Sequence, residues 1–277
     1  MNNFLIIDFF NLLRREMGAL APLEFNGRYT SGIYGFLRQF AKAVVEFKPT
    51  KIIVCADCPP YWRKEIFPEY KNDRKTNPDL FFRKRFEESI QYCEEFLSLI
   101  NCTFWKEKGY EADDLIASVL LENKYDNAYI FSNDWDIFQL LFLRDNVYVK
   151  TNNELWNVEM FIATFGLETK EEVVRYLSLK GTHNNIKGIK GIGEVKAKEI
   201  ATDENKWKAI YKEHKQELDN YYRLIVLPAF GEWEHEPRCI DISTIQFSER
   251  KLFNWITSIG IQYTKNMKEA FDFLGGF

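Results

Sequence analysis

Residues 51–57 read Lys-Ile-Ile-Val-Cys-Ala-Asp, five apolar or small residues in a row that end on a carboxylate. A run this short with no polar alternate positions has the pattern of a strand covered on both faces, as in a parallel sheet. The same pattern recurs at Phe4 to Ile7, which runs into Asp8, and at Ala128 to Phe131, which is followed closely by Asp134 and Asp136. A fourth run covers Val147 to Val149. Between them Tyr34 to Phe47 and Asp113 to Leu121 place apolar residues at helical spacing. Strands alternating with helices predict an α/β fold, a mostly parallel sheet flanked by helices with right-handed crossovers, over residues 1–155.

After about residue 155 the pattern changes to helices and charged loops. Val158 to Phe165 and Glu171 to Lys180 are followed by a glycine-punctuated turn and a further helix from about Val195. Residues 156–277 are therefore expected to be a mainly α-helical C-terminal region, with a helix–hairpin–helix at about 171–201. Residues 61–85 stand apart as a basic, aromatic insertion in the first region, of the kind that forms a surface loop or lid.

The 277 residues are 46% hydrophobic and 28% charged, which suits a folded globular chain and not a disordered one. No apolar run reaches the ~18 to 20 residues of a membrane span, and Phe4 to Ile7 lacks the flanks of a signal peptide. No membrane partner and a cytosolic address are expected. Five cysteines, odd in number and irregular in spacing, argue against a disulfide framework, and the Cys55–Cys58 pair reads as packing. Net charge is −4. If the seven carboxylates nominated below sit in one metal site, the remainder carries −4 + 7 = +3, which does not exclude a nucleic-acid partner.

Three strands deliver Asp8, Asp57, Asp134 and Asp136 to one edge of the sheet, where ligands of open α/β folds bind. Carboxylates crowded there repel one another unless a divalent cation holds them ionised. Residues 110–114, Tyr-Glu-Ala-Asp-Asp, open a helix, and acids at a helix start also serve as caps. Glu111 and Asp114, at i and i+3, can share a face toward the strand ends. Oxygen ligands with no His or Cys nearby suit Mg²⁺ or Mn²⁺, and two such ions drive in-line displacement at phosphorus.

Arg63, Lys64, Tyr70, Lys71, Arg74, Lys75, Arg83, Lys84 and Arg85 crowd the insertion. Cations interleaved with aromatics suit a nucleic-acid strand. Residues 188–193, Gly-Ile-Lys-Gly-Ile-Gly, preceded by Lys187 and followed by Lys196, resemble a helix–hairpin–helix. There Gly188, Gly191 and Gly193 would let backbone N–H groups approach phosphates, with Lys190 and Lys196 beside them.

In this order the motifs at 5–8, 57–74, 110–114, 132–136 and 181–193 resemble the flap endonuclease and 5′-3′ exonuclease family, particularly its bacteriophage members and the nuclease domain of bacterial DNA polymerase I. The resemblance covers roughly residues 4–201. It implies a PIN-like core whose first metal site is Asp8, Asp57, Glu111, Asp113, Asp114 and Asp134, with Asp136 in a second. It implies that Lys71 and Arg74 meet the scissile phosphate, with Tyr70, Arg63 and Arg14 or Arg15 nearby. It also implies a K⁺ ion on the hairpin carbonyls and a monomer acting on branched or flapped DNA, an RNA–DNA hybrid being a further substrate.

Where that family carries two more acids, this chain has Thr182 and Asn185. Neutral oxygens there can serve only as weak second-site ligands. The sequence therefore also admits a branched-DNA-binding protein with weakened catalysis, or a PIN-type ribonuclease using a similar acidic edge.

Overall fold

The computed structural model describes residues 1–72, 79–182, 184–227 and 240–276. Strand β1 (Asn3–Asp8) runs into α1 (Phe9–Ala19), and a small hairpin of β2 (Glu24–Phe25) and β3 (Arg28–Tyr29) leads to α2 (Ser31–Phe47) and β4 (Lys51–Ala56). Then come α3 (Arg63–Ile66), α4 (Leu80–Leu99), β5 (Thr103–Lys106), α5 (Ala112–Glu122), β6 (Asn127–Phe131) and a 3₁₀ segment, Asp136–Phe142. Strands β7 (Val147–Lys150) and β8 (Leu155–Trp156) precede α6 (Val158–Phe165), α7 (Lys170–Lys180), α8 (Glu194–Ala201), α9 (Glu204–Glu213) and α10 (Lys215–Ile225). Helices α11 (Glu249–Ser258) and α12 (Lys265–Gly275) follow.

The main sheet has the order β5-β4-β1-β6-β7-β8, parallel except for β7 against β8. From β1 the chain crosses to β4 on one side and later reaches β6 on the other. A crevice therefore opens at the carboxyl end of β1, where strand order reverses. The register places Asp8 level with Cys55 and Ile7 level with Phe131, so three strand ends stop together.

Alternation along β1 divides the core. Phe4 and Ile6 pack with α5, the 3₁₀ segment and the helices α6 to α10, whereas Leu5 and Ile7 pack with α1, α2 and α4. Helices α11 and α12 join that second face, with Ile256, Met267 and Phe271 buried among α2 and α4 residues. The helical stretch after residue 155 is thus divided between the two faces of the sheet. Its last two helices lie on the first region's own core. None of the helices among the described residues is long and apolar enough to cross a membrane.

The expected insertion at 61–85 ends earlier than its composition suggests, because Leu80 to Arg85 form the first turns of the 20-residue α4. The buried stripe of this helix runs Arg85, Ser89, Tyr92, Cys93, Phe96, and it starts with polar residues that hide its helical period. Arg85 is buried and donates to the Ser31 hydroxyl at 3.1 Å. Strand β5 also escapes the sequence: its four residues, Thr-Phe-Trp-Lys, end on an exposed lysine and are too few to show a period.

Candidate active site

Each strand end contributes an acid whose orientation is set locally. Asp8 caps α1, its Oδ1 accepting from the Asn11 N–H at 3.2 Å and its Oδ2 from the Ser132 hydroxyl at 2.9 Å. Asp57 accepts from the Ala112 N–H at 2.9 Å and from the Tyr61 hydroxyl at 3.3 Å, which locks the end of β4 to the start of α5. Asp134 follows β6 and accepts from the Asp136 N–H at 3.2 Å. With Asp113, from the first turn of α5, these acids line one pocket of about 160 Å³ together with Lys71 and Arg14.

The pocket is electrostatically tense. Burial, followed by repulsion from Asp57 and Asp134, pushes the Asp8 carboxyl up to about 7. Burial, then repulsion from Asp134 and Asp8, holds Asp113 well above the usual carboxylate range. The Lys71 ammonium pairs with Glu111 and lies 4.0 Å from Asp57, so a positive charge already stands among these acids. Among the described residues no three His, Cys, Asp or Glu side chains close on a single ion. A hard cation that keeps several of its own waters needs no such cage, and an all-oxygen donor set suits it.

Four of the nominated residues take other positions. Asp114 turns away from the pocket: its carboxylate bends back to the Glu111 N–H at 3.0 Å and receives both terminal nitrogens of Arg63, at 2.6 and 2.7 Å. Arg63 is only 1% exposed, and its Nε donates to the Leu224 carbonyl, so it is an internal tie and not a DNA contact. Burial opposes its charge, but Asp114 and Glu111 outweigh that and keep it protonated. Tyr70 is likewise buried, with its hydroxyl on Glu111 at 2.9 Å. Arg15 pairs with Glu16 and lies over the Phe131 ring, whereas Arg14 is exposed at the pocket against Phe10 and Phe86. Arg74 and Lys75 of the insertion lie outside the described residues, as does His183 of the loop before the hairpin.

Asp136 belongs to a neighbouring pocket of about 450 Å³, lined by Trp135, Lys180, Gly181, Thr182 and Lys187. Burial, then repulsion from Asp134, pushes its carboxyl up to about 8. Asn184, which no sequence signal singled out, donates to it at 3.4 Å.

Glycines of the hairpin divide into two kinds. A Cβ on Gly188 would strike the backbone of Leu179, Lys180 and Gly181, so this residue is a packing glycine with a left-handed φ of 68°. Gly191 (φ 82°) and Gly193 face open space and, with Lys187 and Lys190 and with Lys196 in the first turn of α8, form the exposed hairpin surface. Gly188→Ala is expected to lower stability by roughly 3 kcal/mol or more, through collision added to strain. Gly191→Ala should cost about 1 kcal/mol. Denaturant midpoints of the two variants check this, and equal losses would contradict it.

Residues 3–166 match the family model described as 5′-3′ exonuclease, N-terminal resolvase-like domain. The chain belongs to the 5′-3′ exonuclease family. This family member is 31% identical over 245 residues to the 5′-3′ exonuclease of Aquifex aeolicus, an alignment covering 82% of each chain. It is 33% identical over 215 residues to that of Mycoplasmopsis pulmonis, covering 76% of this chain and 68% of the relative. Its fold is that of T5 5′-exonuclease with bound divalent metal ions (zinc), at a TM-score of 0.65, 19% identity and coverage of 99% and 100%. Flap endonuclease-1 from Methanococcus jannaschii shares it at a TM-score of 0.66 and 19% identity, with 99% and 91% covered. The chain is accordingly a 5′ nuclease, a phosphodiester hydrolase.

Proposed function

We propose that the chain cuts 5′-flapped or forked DNA by metal-assisted hydrolysis in the pocket of Asp8, Asp57, Asp113 and Asp134. The observation that carries this is the convergence of four carboxylates, from three strand ends and one helix start, on a single pocket that also holds Lys71. Mg²⁺ or Mn²⁺ bound there supplies a Lewis acid, activating water and offsetting charge on the phosphate.

The chain's own groups supply the rest. Lys71 presents an ammonium where charge develops on the reacting phosphate. Arg14, supported by Phe10 and Phe86, offers a guanidinium to the adjoining phosphate at the pocket mouth. Backbone N–H groups near Gly191 and Gly193, at the start of α8, hold the duplex by its phosphates without reading sequence, and the hairpin carbonyls would take K⁺. A second divalent ion would have Asp136 as its acid, with Thr182 and no further carboxylate among the described residues that line that pocket. Lys180 and Lys187 line the same pocket, so that ion is held weakly and endonucleolytic cutting outweighs exonucleolytic.

The test is Mg²⁺-dependent cleavage of a 5′-flap substrate by the wild type and by Asp57→Asn. Full activity in the variant would remove the assignment. Tight flap binding without cutting under any divalent ion would favour a binding protein, and equal cutting of single-stranded RNA a ribonuclease. Lys71→Ala is expected to slow single-turnover cleavage by about 10²-fold while flap affinity changes by less than about 3-fold, because one cation among many matters most where charge develops. An unchanged rate would defeat that role.

A further inference from the structure

We infer that Asn185 is a positioning residue for Lys71: its side-chain amide ties the loop before the hairpin to the backbone that carries the lysine, which a carboxylate at the same position cannot do. This rests on the proposal that Lys71 meets the reacting phosphate.

Asn185 Nδ2 donates to the Glu69 carbonyl at 2.9 Å, and the Lys71 N–H donates to the Asn184 carbonyl at 3.3 Å. The two bonds flank Tyr70 and fix the chain entering Lys71, whose backbone is itself left-handed at φ 55°. A lysine in that conformation persists only where its surroundings hold it. The loop is anchored on its other side too, since the buried Asn184 side chain donates to Asp136. Asn185 lies in the left-handed region as well, at φ 67°, which asparagine tolerates better than most residues. Between the two bonds, Tyr70 is fixed by its hydroxyl on Glu111, the carboxylate that also receives the Lys71 ammonium. The lysine is thus held at both ends, by its backbone through the 184–185 loop and by its head group through Glu111.

The donor is what matters at position 185. An ionised aspartate is acceptor-only, and facing the Glu69 carbonyl it would repel where the amide binds. Exchanging Asn185 for the acid expected from the family resemblance should therefore slow the enzyme.

Single-turnover cleavage and flap affinity are measured for wild type, Asn185→Ala, Asn185→Asp, Lys71→Ala and Asn185→Ala with Lys71→Ala. Both Asn185 variants should lose about 10-fold in rate with Kd changed less than about 2-fold. In the Lys71→Ala background the Asn185 change should alter the rate by less than about 2-fold, since it acts through the missing lysine. A full further loss in that background, a wild-type rate in Asn185→Ala, or a faster Asn185→Asp overturns the inference. Amine labelling followed by mass spectrometry gives a readout independent of cleavage. Lys71 should label several-fold faster in Asn185→Ala, with surface lysines such as Lys190 unchanged, because a local tie has been lost. Unchanged Lys71 labelling overturns the inference whether or not the protein cuts flaps, while failure of Asp57→Asn to abolish cutting would bear only on the proposed function.

Discussion

Asp113→Asn is expected to reduce flap cleavage by on the order of 10³-fold and, in chelator, to raise the melting temperature by several degrees. The two effects share a cause. Asp113 lies at the start of α5, in the pocket with Asp8, Asp57 and Asp134, and burial, then repulsion from Asp134 and Asp8, holds its carboxyl well above the usual carboxylate range in the folded protein. A raised carboxyl contributes its stability in full below its unfolded value, where both states hold the proton. That contribution falls away as pH rises from the unfolded value through the folded one. Near neutral pH without a cation, the wild type therefore carries a penalty that the neutral amide removes. The same amide deprives a cation of a negative ligand, so Mg²⁺ should raise the melting temperature of the wild type and do so far less in the variant. Parallel thermal scans with EDTA and with Mg²⁺, beside single-turnover cleavage, read both effects. Retained cleavage, or an equal Mg²⁺ response in both proteins, would separate Asp113 from the metal.

Arg63→Met should destabilise the fold by about 3 to 5 kcal/mol, the cost of leaving a buried anion without its partner. In a chain of this size that is on the order of 10 °C in melting temperature. The guanidinium joins three elements: it starts α3, pairs bidentately with Asp114 of α5 and donates to the Leu224 carbonyl of α10. Glu111 lies 3.3 Å from the same nitrogen that binds Asp114, so removal leaves Asp114 without a cation and takes from Glu111 one of its two, Lys71 remaining. Arg63→Met combined with Asp114→Leu should recover most of the loss, because an apolar pair carries no desolvation cost. Below the melting range, the single variant should bind flapped DNA with an unchanged salt dependence, since a residue that neutralises no phosphate releases no counterion. A flatter salt slope at wild-type stability would return Arg63 to the DNA surface.

Sequence and structure agree most closely where short-range physics decides. The apolar runs ending in Asp8, Asp57 and Asp134 are strands because both of their faces are covered, and the carboxylates follow at their ends as the runs predict. Helices α6 and α7 lie where the stretches Val158 to Phe165 and Glu171 to Lys180 predicted them, and in the structure Asn157 and Thr169 each cap with a side-chain oxygen. Alternating strands and helices predict the parallel sheet, whereas the order that sets β1 between β4 and β6, and with it the crevice, is seen only in the folded chain.

Tertiary structure alone decided which neighbours each charge acquired. Asp113 and Asp114 are adjacent and chemically identical, yet one faces the pocket and the other the core, because successive helical residues point about 100° apart. Arg63, Arg85 and Arg15 look like members of a basic surface, but each turned inward where the packing supplied a carboxylate, hydroxyl or carbonyl. Asn184 and Asn185 gain their significance from the chain near residue 70, more than a hundred residues away. The strand ends could be read from the chain because burial pattern and local hydrogen bonding are written in consecutive residues. The partners of a long charged side chain could not, because they depend on which distant segment the closed core brings within reach.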